Sequence, residues 1–162
     1  QPVLFVVGMP MREDGAEHPL AASVRKFAGQ LHGRFGLAVR RAIEDRYDGT
    51  VAILASGSLS HRFNDNGSPE ESIHEISDEF YRQIDLRVVE LWQRGDWKTF
   101  VKMLPTYNAT CHGEGHMHDT AMLLGALGWD AYDRPVEIVT PYFASSGTGQ
   151  INAVFPVTPL PR

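Results

Sequence analysis

The chain has 162 residues, 43% of them hydrophobic and 22% charged. That balance fits one globular domain and excludes long disorder or a collagen-like structure. A formal net charge of −5 leaves no electrostatic footprint for nucleic acid or an anionic membrane, and no apolar run approaches the roughly 20 residues that cross a bilayer. The single cysteine, Cys111, allows no internal disulfide, so a reducing, cytoplasmic setting is expected.

Gln1-Pro2 leads directly into Val3–Val7, a β-branched apolar run that Gly8 and Pro10 end. It reads as a buried strand. With no initiator Met, residues 1–162 are expected to be part of a longer product. Residues 9–18 are polar and rich in turn formers. From Leu20 to Arg46 the apolar spacing is helical, and Gly29, Gly33 and Gly36 weaken its middle, so one bent helix or two short ones are both predicted. Thr50–Leu54 is a second apolar strand. Strand, helix and strand in succession predict a βαβ unit. The expected fold class is α/β: a central, largely parallel sheet flanked by helices, in a single domain over residues 1–162.

Ser68-Pro69-Glu70-Glu71 has the order of a helix start, with Ser as the cap and Pro at the first helical position. A helix is predicted from there to about Gln93, with Gly95 as its stop. Trp97–Leu104 reads as a short helix ended by Pro105, and Thr120–Leu127 as another. Val136–Val139 and Ile151–Phe155 read as strands, and Ser145–Gly149 as a tight hairpin-type connection between them. Trp92, Trp97 and Trp129 fall in apolar patterns and are assigned to the core. Arg40, Arg41, Asp45 and Arg46 read as a solvated helix face.

Two segments are rich in chemistry. Ser58, Ser60 and His61 lie in a small-residue loop directly after a strand, the end of a sheet where α/β proteins place ligands. An imidazole there exchanges protons near neutral pH or pins the loop by hydrogen bonding. A Ser-His hydrolase is a weaker alternative, since no G-x-S-x-G elbow is present. The second segment, His112-Gly113-Glu114-Gly115-His116-Met117-His118-Asp119, holds three imidazoles and two carboxylates. Such a set suits iron, manganese or zinc, or else is a polar loop whose Asp119 caps the next helix. A zinc-dependent hydrolase on this cluster is a further alternative. Cys111 matches no recognised nucleophile motif.

Several blocks together are similar to one family. Val51–Phe63 resembles the central block of the class III extradiol ring-cleavage dioxygenases. The likeness continues through Glu90-Leu91-Trp92, Met103-Leu104-Pro105, Gly113-Glu114-Gly115 with Met117-His118-Asp119, and Ser145–Pro156. It covers about residues 47–157; residues 1–35 match less clearly, and Leu20–Gly33 has the look of an insertion. The resemblance implies meta-cleavage of a catechol, 3,4-dihydroxyphenylacetate-like, by O₂ at Fe(II), or occasionally another divalent metal, held by two His and one Glu. It implies His61 as the acid–base catalyst and Glu114 as the carboxylate ligand, with Asp119 as second choice. The family's two histidine ligands come from an N-terminal segment that precedes the matched blocks, and neither His18 nor His32 lies in a matching motif. The chain is therefore expected to be the C-terminal part of such an enzyme, and a homo-oligomer. The alternative is a catalytically silent homologue or subunit that binds an aromatic ligand.

Overall fold

The computed structural model describes residues 3–7, 21–63 and 70–157. The chain divides into two compact units. One comprises Gln1–Gly57 with Gly115–Trp129, the other Ser58–Glu114 with Asp130–Arg162.

The first unit contains β1 (Val3–Val7), α1 (Ala21–Arg46), β2 (Val51–Ala55) and α4 (His118–Leu127). β1 and β2 pair in parallel, with Val3 opposite Val51 and Val7 opposite Ala55. The predicted βαβ unit is thus present. α1 is one continuous helix, and its glycines have a reason the propensity argument missed. A Cβ at Gly36 would stand 1.9 Å from the Met122 carbonyl oxygen, and one at Gly125 would stand 1.8 Å from the Gly33 carbonyl oxygen. The bare backbones let α1 and α4 approach closely, and that contact offsets the helix propensity lost at Gly. β2 is not a fully buried strand. Val51, Ile53 and Ala55 are half-buried while Ala52 and Leu54 are exposed, the alternation of a strand covered on one face.

Arg40 departs from the solvated face assigned to it. It is only 5% exposed, and its guanidinium donates to the Ala126 carbonyl at 2.8 Å and to Glu44 at 2.8 Å. Ala126 is in the last turn of α4, where carbonyls lack helical partners and a cation is favoured.

The second unit contains α2 (Glu79–Arg94), α3 (Trp97–Cys111) and four short strands: β3 (Glu137–Ile138), β4 (Phe143–Ser145), β5 (Thr148–Gln150) and β6 (Ala153–Val154). β3 pairs with β6 and β4 with β5, both antiparallel. Among the described residues the strands therefore form three separate two-stranded pairs, and the mixed helix-and-strand class holds without a central, largely parallel sheet. The Ser145–Gly149 segment is a hairpin: Ser146 and Gly147 turn with φ of 51° and 93°, the left-handed pair that a two-residue loop needs.

The predicted start at Ser68-Pro69 lies outside the described residues. Glu70–His74 is a 3-10 turn, and α2 begins at Glu79, where Asp78 accepts the Phe80 N–H at 2.8 Å. Gly95 ends α2 in the left-handed conformation, as expected of a C-terminal glycine. α3 does not stop before Pro105 but carries it inside the helix. An interior Pro costs roughly 3 kcal/mol. Phe100, Leu104, Tyr107 and Cys111 are buried along the same helix, and burial of such side chains at about 1.5–3 kcal/mol each outweighs that cost. Trp92 and Trp97 are core residues, as predicted, with Phe100 and Phe155 packed around them, whereas Trp129, assigned to the core as well, is only half-buried.

Candidate functional site

In the second unit the Ser58–His61 loop is held by four successive backbone N–H groups. Ser58 donates to Glu114 Oε2 at 2.5 Å, Leu59 to the Gly149 carbonyl at 2.8 Å, Ser60 to the Asp85 carboxylate at 3.3 and 3.4 Å, and His61 to the Cys111 carbonyl at 3.3 Å. A segment without helix or strand needs such partners for its buried amides. The loop is also fastened from its carbonyls: Leu59 accepts the Glu114 N–H at 3.3 Å, and Ser60 the Gly149 N–H at 2.9 Å.

The result places His61 Nε2 3.9 Å from Glu114 Oε2. These are the two residues singled out from separate sequence blocks. The His61 ring is half-buried and packs edge-on against Phe63, with centroids 4.6 Å apart. Glu114 is half-buried as well, so this carboxylate is open to a ligand while one oxygen is tied to Ser58.

The serines do not form a nucleophile pair with His61. Ser58 Oγ accepts from Gln150 Nε2 at 2.6 Å, and Ser60 Oγ donates to Asp85 at 2.7 Å. Cys111 is fully buried, and burial followed by the nearby Asp85 charge pushes its thiol up to about 12. It is a packing residue rather than a nucleophile.

The His112–Asp119 cluster is divided between the two units. In the second, His112 adopts the left-handed conformation at the end of α3 and meets Tyr81 edge-on. In the first, the His118 ring stacks on His32 of α1, with centroids 4.0 Å apart and planes at 7°, and His116 tilts against it at 5.7 Å. His118 is pushed down to about 4 by burial, then by the charges of His32 and His116. Asp119 is in the first turn of α4 and only 8% exposed. It does not act as the helix cap, since Met117 occupies that position with no side-chain cap bond. Its carboxylate lies against Gly57, where a Cβ would come within 2.4 Å of Oδ2. Among the described residues no three His, Cys, Asp or Glu side chains are grouped so as to hold a metal ion. His18 lies outside the described residues.

The residue that the sequence reading missed is Asp85 of α2. It is fully buried and accepts hydrogen bonds from the hydroxyls of Tyr107 at 2.6 Å, Tyr142 at 2.7 Å and Ser60 at 2.7 Å. Burial raises its carboxyl above the ordinary range, against the pull of these donors. Burial likewise pushes both tyrosine hydroxyls up, with Asp85 adding to the effect, so they stay protonated donors. The available signal was a carboxylate on the stripe Tyr81, Asp85, Val88 and Trp92, all of which are buried.

The family described as "Catalytic LigB subunit of aromatic ring-opening dioxygenase" matches residues 14–156. A 3,4-dihydroxyphenylacetate 2,3-dioxygenase of Escherichia coli is 53% identical over 113 residues, 70% of this chain and 41% of that protein. A protein of Pectobacterium carotovorum named "Putative pre-16S rRNA nuclease" is 55% identical over 55 residues, 34% of this chain and 38% of that protein. One of the same name in Yersinia enterocolitica is 46% identical over 70 residues, 42% of this chain and 49% of that protein. The chain thus spans less than half the length of each of these relatives.

Proposed function

Because the chain belongs to the family of the catalytic LigB subunit of aromatic ring-opening dioxygenases, we propose that the whole protein opens a catechol ring by extradiol, or meta, cleavage with O₂. The proposed substrate is 3,4-dihydroxyphenylacetate or a close analogue, which is what the name of the E. coli relative says of that protein. The observation that carries the reading is the approach of His61 Nε2 to Glu114 Oε2 at 3.9 Å. It sets a proton-exchanging ring beside an accessible carboxylate, and these are the two functions the resemblance assigns to them.

In this reading His61 takes a proton from a catechol hydroxyl and returns one to the opening ring. Phe63, edge-on to the imidazole, limits where that ring can turn. Fe(II) is the proposed cofactor, with Glu114 as its carboxylate ligand and Asp119 as the second choice. The described residues do not complete a set of two His and one carboxylate.

A second reading concerns residues 1–162 taken alone: a unit that binds an aromatic ligand without turning it over. A homo-oligomer and a cytoplasmic setting are also proposed. The short paired strands leave edges for a second copy, and the lone buried thiol fits a reducing compartment. Among the described residues no helix is long and apolar enough to cross a membrane. The net charge of −5 argues against a polyanionic partner.

The test is O₂ uptake with 3,4-dihydroxyphenylacetate, by the whole protein and by residues 1–162, each loaded with Fe(II). Yellow ring-fission product from the whole protein alone is expected. Its absence from the whole protein would refute the dioxygenase reading, and its formation by residues 1–162 would refute the binding-only reading.

A further inference from the structure

An apolar side chain would complete the buried stripe of Tyr81, Val88 and Trp92 on α2, yet Asp85 occupies it with no exposure at all. Burying a carboxylate is costly, and packing alone does not call for one. The carboxylate is instead surrounded by donors from three different segments. Tyr107 comes from α3, Tyr142 from the chain before β4, and Ser60 from the loop that carries His61. Ser60 is bound twice, by its hydroxyl at 2.7 Å and by its backbone N–H at 3.3 and 3.4 Å. Backbone also packs against the carboxylate: a Cβ at Gly149 would come within 2.0 Å of Asp85 Oδ2. Gly149 in turn is hydrogen-bonded to Leu59 and Ser60 through its carbonyl and its N–H. The loop is thus gripped directly and through the strand beside it, one residue before His61.

We propose that Asp85 is the positioning residue for His61. Its buried carboxylate fixes the Ser58–His61 loop so that the imidazole is held where it exchanges a proton with the catechol. The proposal rests on the acid–base reading of His61. A ring displaced by about 1 Å from its working position can lose two orders of magnitude in rate, and a proton-transfer group is only as well placed as the groups that hold its backbone. Asp85 touches neither the His61 ring nor Glu114 by any hydrogen bond, so its effect is transmitted through Ser60.

The test uses histidine-labelled protein, with the His61 ring resonance assigned by its disappearance in His61→Phe. In Asp85→Ala this resonance should shift, while those of His32 and His118 in the other compact unit hold still. Asp85→Asn, which keeps the volume and the capacity to hydrogen-bond the hydroxyls, should bring it back toward its original place. Ser60→Ala should shift it too. That variant leaves Asp85 paired with both tyrosines, so it keeps the question answerable if Asp85→Ala does not fold. In the iron-loaded whole protein Asp85→Ala should lower kcat by about 10–100-fold, with KM changed by about twofold or less. Added to His61→Phe, it should lower kcat no further. An unmoved His61 resonance in the folded variants would overturn the proposal, as would an equal kcat loss in the His61→Phe background. If His61→Phe alone leaves turnover intact, it is the acid–base reading that fails, and the resonance still decides whether Asp85 holds the ring.

Discussion

Glu114 Oε2 serves two neighbours at once: it accepts the Ser58 N–H at 2.5 Å and stands 3.9 Å from His61 Nε2. The carboxylate therefore has a structural bond to the loop and an electrostatic relation to the ring, and substitutions separate the two.

Glu114→Gln keeps an acceptor for Ser58 but removes the negative charge. Iron content of the whole protein, measured by elemental analysis, should fall at least about tenfold, since an anionic ligand offsets the charge of the metal. The melting temperature should change little. Asp119→Asn should leave iron content alone and lower stability in urea by about 0.3–1 kcal/mol, because Asp119 lies in the first turn of α4, where a negative charge is favoured. Iron retained by the Glu114 variant and lost by the Asp119 variant would reverse the ligand assignment.

His61→Phe preserves an aromatic ring against Phe63 and deletes the proton-exchanging nitrogens. Turnover of catechol by the whole protein should drop by roughly 10²–10⁴-fold, with iron content unchanged. Equal turnover would remove His61 from the chemistry.

The contact of α1 with α4 depends on missing side chains. Gly36→Ala or Gly125→Ala would put a Cβ within 2 Å of a carbonyl oxygen of the other helix, against backbone that cannot rotate away. Each should destabilise the protein by about 1–3 kcal/mol, read from urea unfolding. Gly128→Ala is the control for space: nothing stands near its Cβ position, although its φ of 105° also disfavours a side chain.

His118 links stability to acid. Its pKa is pushed from 6.5 to about 4, so the folded state holds the neutral ring while the unfolded chain takes up a proton below 6.5. Its contribution is present in full above about pH 6.5 and is lost as pH falls from there through about 4. Thermal unfolding across that window should show a steeper acid loss for the native protein than for His118→Gln. Identical slopes would show that the stacked ring titrates normally.

Much of the first unit was legible because its signals are local. The apolar run at Val3–Val7, the long helical spacing to Arg46 and the run at Val51–Ala55 each specify one element. What escaped depends on partners distant in sequence. Arg40 looked solvated because its receiving carbonyl, Ala126, is 86 positions away. Pro105 looked like a stop because the packing that outweighs its cost is tertiary. The helix expected from Ser68 starts at Glu79 instead, capped by Asp78, a second residue able to cap, and spacing did not distinguish the two. His61 and Glu114 were proposed from the resemblance, whereas Asp85 sits in no motif at all. Its meaning lies in three hydroxyls that folding brings to it.

Cys111 gives the molecule an internal clock for opening. Its thiol is sealed from solvent and pushed up to about 12, so an alkylating reagent reacts only with molecules in which α3 has parted from its neighbours. It is also the sole thiol of the chain, so every labelled molecule records the same event. The backbone carbonyl of that residue accepts the His61 N–H. The rate of labelling therefore measures how often the support under the imidazole comes undone.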